Sequence, residues 1–126
     1  TLFFPDKVGF RNGSCRSYSS YDLKNRMVLP LHQTATSIAE FSLLDVRYNS
    51  YSVPEALALC KPIIQNVKKH NGDLVILFHS HQLKTKQFEL LHKRVSATAY
   101  REAIATGMEV PGVKSTELTR INYRSA

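Results

Sequence analysis

Residues 73–79, DLVILFH, form a continuous apolar run that ends on a histidine. A strand with one face in water alternates apolar and polar side chains, whereas a strand covered on both faces, as in a parallel sheet, reads as an unbroken hydrophobic segment. The run therefore needs covering helices, and the flanking sequence supplies them. Upstream, SVPE at 52–55 has the form of a capping box: Ser52 accepts from the Glu55 amide, the Glu55 side chain reaches back, and Pro54 sits in a first turn where amides lack partners. Val53, Leu57, Cys60, Ile64 and Val67 recur every three or four residues as one apolar stripe. This predicts a helix from Ser52 that is kinked at Pro62 and stopped by Gly72 in a left-handed conformation. Downstream, Phe88, Leu91, Val95 and Ala99 share one face of a second helix, predicted from Thr85 to Thr106.

The rest of the chain reads as shorter pieces. TLFF at 1–4 is a strand candidate closed by Pro5, and Lys7–Ser20, rich in Gly, Asn, Ser and Arg, is a loop. Residues 27–34 have strand character but carry Pro30, which restricts them to an edge or a bulged strand. Residues 38–46 fit strand or helix, being too short for periodicity to decide. MEVPGV at 108–113 is a strand candidate, Ser115 opens a last helical turn, and residues 122–126 read as a frayed tail. The alternation predicts an α/β fold with parallel neighbouring strands.

Composition narrows the setting. A chain of 126 residues, 43% hydrophobic, suffices for one core and one domain over 1–126. No apolar run approaches the roughly 18–20 residues of a membrane span. TLFF lacks a basic lead and a small-residue cleavage site, so a start at Thr1 implies either a removed upstream segment or a fragment. The net charge is +7, but the 17 basic residues are dispersed, and VKKH and HKRV gather them without interleaved aromatics. Solvated helix faces explain that pattern, and no nucleic-acid partner is expected. Cys15 and Cys60 lack CxxC spacing and read as free thiols.

Two places stand out chemically. In α/β sheets, ligands bind beyond the carboxyl ends of the strands, where His79 is placed, and an imidazole there can serve as general acid or base. His79 and His81 alone are too few for a metal site, His70 and His92 fall in charged helical surroundings and read as solvated, and His32 is left undetermined. In GFRNGSC at 9–15, Gly9 and Gly13 permit positive φ, and Arg11 between them is a fixed cation able to orient a carboxylate.

Taken together, DKVGFRNGSCRSYSSYDLKNR, the Pro-containing VLPLHQT, and SVPEALALCKPIIQNVKKHNGDLVILFHSH resemble the C-terminal half of a polysaccharide deacetylase domain. This is the NodB homology domain of carbohydrate esterase family 4, in its bacterial branch, and the resemblance covers residues 1 to 95. It implies part of a distorted (β/α) barrel with parallel strands and covering helices. The implied activity is hydrolysis of acetyl groups on a polysaccharide or sugar by water activated on a divalent metal, Zn by family habit. By the same likeness Arg11 orients the catalytic base, His79 protonates the leaving group, and Leu77 lines the acetyl pocket. Amides of the arginine loop, through Gly13 and Ser14, stabilise the oxyanion.

Where members of the family carry an Asp-Asp pair and a His-x-x-x-His motif, this sequence has neither, and Glu40 in AEFSL matches a further acidic motif only loosely. Two readings follow: the C-terminal part of a longer enzyme, or a carbohydrate-binding or structural domain derived from one, with Tyr18, Tyr21, Tyr48 and Tyr51 as sugar-platform candidates. On either reading residues 1–4 are expected to present an open sheet edge suited to self-association. No metal is expected on this chain alone. Calorimetric titration with Zn²⁺ or Co²⁺ should give no stoichiometric heat, and a one-to-one site tighter than about 1 µM would contradict this expectation.

Overall fold

A computed structural model describes residues 3–79, 85–105 and 118–123. Strands β1 (Tyr18–Asp22) and β2 (Met27–Gln33) form an antiparallel hairpin, and β3 (Ile38–Ala39) runs directly into helix α1 (Glu40–Leu44). Helix α2 (Val53–Lys69), strand β4 (Asp73–Leu77), helix α3 (Lys86–Ala105) and strand β5 (Leu118–Asn122) follow. The second sheet has the order β3-β4-β5.

β4 is the central strand, and it is buried from Asp73 to Ile76. Ile38 and Ala39 pair with Ile76 and Leu77 in parallel, as the unbroken apolar run predicts. On its other side β5 pairs antiparallel, with Leu77 opposite Leu118 and Asp73 opposite Asn122. Among the described residues the sheet is therefore mixed rather than wholly parallel, and its three strands do not close into a barrel. The core gathers Ile38 and Leu43, the inner stripe of α2 at Ala56, Cys60, Ile64 and Val67, and the inner stripe of α3 at Phe88, Leu91, Val95 and Ala99. Among the described residues, no helix is long and apolar enough to cross a membrane.

Helix α2 begins as the sequence predicts. Ser52 caps it, Glu55 returns the bond to complete the box, and the helix runs through Pro62. Its end is different. Asn71, not Gly72, takes the left-handed backbone, with φ of 51°. Gly72 is needed for close approach: a Cβ there would lie 2.3 Å from Cys15 Sγ and 2.8 Å from the Cys15 carbonyl oxygen. That contact carries the arginine loop across the start of β4, where the Asp73 amide donates to the Cys15 carbonyl at 2.6 Å.

Both ends of the chain depart from the sequence expectation. Phe3 and Phe4 are not in a strand, so the expected open edge at residues 1–4 is not formed by them, and residues 1–2 lie outside the described residues. The Phe4 carbonyl instead accepts from Ser42 Oγ at 2.9 Å. Residues 108–113 and Ser115 also lie outside the described residues, but the segment expected as a helical turn continues as β5. Its inward Ile121 and Tyr123 alternate with outward Arg120 and Asn122, a period of two that suits a strand completing the second edge of β4. Nor is the C-terminal segment frayed at its start: Tyr123 is 2% exposed, and its hydroxyl donates to the Ala99 carbonyl at 2.8 Å. Burial pushes that phenol well above its usual range.

A polar tie binds the hairpin to the sheet. The fully buried Asp73 carboxylate meets the Arg120 guanidinium at 3.1 Å and accepts from Ser17 Oγ at 3.3 Å, at the foot of β1. Both cysteines are free; burial pushes the Cys60 thiol up to about 12, which leaves it unreactive, while Cys15 is half-buried. Replacing Gly72 by Ala tests the loop crossing directly. Because the clash includes backbone, Gly72→Ala should lower stability by about 1–3 kcal/mol, and Cys15→Ala should not rescue it. A Gly72→Ala variant with wild-type urea and thermal midpoints would contradict the close approach.

Candidate functional site

The parallel register of β3 and β4 sets the site. Ala39 lies beside Leu77, so the residues that follow them, Glu40 and Phe78–His79, leave the sheet at the same carboxyl end. β4 itself ends at Leu77, and His79 stands two residues past it. Oε1 of Glu40 accepts from the His79 backbone amide at 3.0 Å and also meets His79 Nδ1. Since Oε1 already accepts one N–H, and a carboxylate offers only acceptors, the Nδ1 contact assigns its proton to the ring. The Glu40 side chain is fully buried, whereas that of His79 is 36% exposed.

In the sequence Glu40 stood out only as a loose match to an acidic motif, within the largely apolar IAEFSLL. The reason it can be there is now visible. A buried carboxylate costs heavily unless hydrogen-bonded, and Oε1 gains two partners from one residue. Oε2 is equally buried and has no hydrogen-bond partner among the described residues.

An aromatic wall stands beside the pair. The Phe41 ring lies 5.7 Å from the His79 ring, 5.1 Å edge-on from Phe3 and 5.8 Å from Tyr48. Of the four tyrosines considered as sugar platforms, Tyr48 is the one whose ring reaches this wall, and it is 42% exposed. Tyr18 and Tyr21 lie on the hairpin, and Tyr51 packs against the core. Leu77, partly exposed as the last residue of β4, lies next to Ala39 on one side and Leu118 on the other.

The arginine loop divides. Gly9 (φ 132°) and Gly13 (φ 71°) take the positive φ that the sequence reserved for glycine. Gly9 donates to the Ser37 carbonyl at 2.8 Å, which lays the loop along β3. From there the exposed Arg11 reaches back, Nη1 lying 3.4 Å from the Phe3 carbonyl oxygen. The Phe3 ring, for its part, meets Phe41 edge-on. Gly13 and Ser14 go the other way. With Phe10, Cys15, Arg16, Asn66 and His70 they line a cleft of about 430 Å³ at the end of α2, where β4 begins. Five strand residues separate the two places, about 17 Å along β4. His79 and Leu77 thus stand at the carboxyl end and Gly13 and Ser14 do not, while Arg11 is placed by its contact with the Phe3 carbonyl.

The remaining histidines have other settings. His92 is not solvated as expected: it is half-buried on α3, its ring 4.8 Å edge-on from that of Phe78, and burial lowers its pKa. His70 is exposed, and His32, on β2, has Nδ1 3.4 Å from Ser19 Oγ. His81 lies outside the described residues. Among the described residues no group of three or more His, Cys, Asp or Glu is placed to hold a metal ion. No family model, curated protein or solved structure matches the chain.

Proposed function

We propose that this chain is the C-terminal part of a polysaccharide or sugar deacetylase in which His79 is the general acid. The observation that carries this reading is the pairing of His79 Nδ1 with the buried Glu40 carboxylate at the carboxyl end of two parallel strands. When an acetyl group is hydrolysed, the tetrahedral intermediate collapses productively once the leaving nitrogen or oxygen receives a proton, and imidazole chemistry suits that transfer near neutral pH. Held at Nδ1, the ring presents its transferable proton at Nε2, and a carboxylate at Nδ1 balances the charge of the protonated ring. Glu40 is a positioning residue in this scheme. Leu77 packs against the acetyl methyl, while Phe41 and Tyr48 offer apolar ring faces to the sugar.

Arg11 orients a base carried elsewhere in a longer chain, and the three-stranded sheet is one portion of a distorted (β/α) barrel. The antiparallel β5 is a departure from the all-parallel barrel pattern. The divalent metal of the resembled family does not fit the described residues, which bring no three ligands together. On this reading the chain supplies acid and positioning roles, and the base and the metal ligands come from elsewhere in the longer chain.

Acetate release by the longer protein that contains this chain tests the reading. His79→Ala should lower kcat about 10²–10⁴-fold. By leaving the buried Glu40 carboxylate with the backbone amide alone, it should also lower the melting temperature, so kcat is read where circular dichroism shows the variant folded. An unchanged kcat would defeat the assignment of His79. Sugar binding with no acetate release by the wild-type protein would favour the derived binding domain instead.

A further inference from the structure

The outer seam between α2 and α3 holds a groove of about 390 Å³, within the range of small-ligand sites. Lys61 and Gln65 line it from α2, and Arg94, Thr98 and Arg101 from α3, with the buried Ile64 among the lining residues. Positions 61 and 65 share a face of α2, and 94, 98 and 101 share a face of α3, so the seam gathers three cations, Lys61, Arg94 and Arg101, from two elements. No carboxylate pairs with Lys61, Arg94 or Arg101 among the described residues. The acid in the lining, Glu102, is held by Lys68 at 2.8 Å. Other exposed pairs on these helices are neutralised in the ordinary way, as Lys93 is by Glu89 at 2.7 Å.

We propose that this groove binds a ligand bearing two or more phosphate groups. Three like charges converging on one concavity repel each other, and an anion seated between them removes that repulsion while gaining attraction to all three. Two arginines favour phosphate, because the planar guanidinium forks onto its oxygens. Their backbones stand about 10 Å apart along α3, a spacing that suits a linked pair or short chain of phosphates. Small residues at Ala97 and Thr98 keep the floor open between them, and the Thr98 hydroxyl is already committed to the Arg94 carbonyl at 2.9 Å. Gln65 supplies a neutral donor on the facing helix. This site is independent of His79 and of the deacetylase reading.

Calorimetry with two probes, inorganic tripolyphosphate and an oligomer of glycerol phosphate, separates a free polyphosphate from phosphates carried on a polymer. The wild-type chain should bind at least one of them with about one site, more weakly as salt rises, and the tighter probe identifies the source. Arg94→Gln/Arg101→Gln should weaken binding about tenfold or more, and Lys61→Gln on the other helix severalfold. Lys7→Gln/Lys24→Gln, which removes the same charge elsewhere, should change it less than about twofold. Far-ultraviolet circular dichroism of each variant reports the fold, and Lys61→Gln keeps the test open should the arginine pair unfold. No binding of either probe at millimolar concentration, or equal losses in the groove and control variants, would overturn the proposal.

Discussion

Two backbone pairings, Ile38 with Ile76 and Ala39 with Leu77, determine where the buried acid and the imidazole of the candidate site can be. Parallel strands deliver their next residues to the same end of a sheet. Had β3 run antiparallel, Glu40 and His79 would have left at opposite ends. Because it does not, a buried acid and a partly exposed imidazole meet across a separation of 39 residues in sequence. The helix that starts at Glu40 then turns Phe41 toward the imidazole and contributes the aromatic side of the site.

The rest of the fold serves to hold β4 in place. α2 and α3 bury the face that carries Leu74 and Ile76, β5 satisfies its second edge, and the close approach of Cys15 to Gly72 pins the arginine loop to its start. At that same end, Asp73 gathers Ser17 and Arg120, which links the hairpin to the sheet through charge rather than through apolar packing. This explains how the hairpin can leave Tyr21, Leu23, Met27, Val28 and Leu31 exposed and still be anchored.

Much of this was readable from residues alone. The capping box at Ser52, the stripes of α2 and α3 and the double-sided burial of β4 are local patterns, and each appears as its periodicity requires. What failed depended on partners distant in sequence. β5 looked like a helical turn because nothing near it in sequence reports that β4 lacks a second edge. Tyr123 looked like tail because its partner, the Ala99 carbonyl, lies on another element. The placement of His79 past a strand end was legible, but its partnership with Glu40 was not: an acid within an apolar run signals a buried pair without saying with whom. Gly13 and Ser14 were expected beside the acetyl group, and only the course of the loop around Cys15 shows that they lie at the end of β4 opposite His79.

The central claim is that Glu40 holds the His79 ring through Nδ1. Long-range ¹H–¹⁵N correlation spectra of the imidazole, recorded above its titration range, test this most directly. The neutral ring should carry its proton on Nδ1, and Glu40→Leu should shift the population toward the Nε2–H form. A ring already protonated on Nε2 in the wild-type protein, or a tautomer unmoved by the substitution, would contradict it.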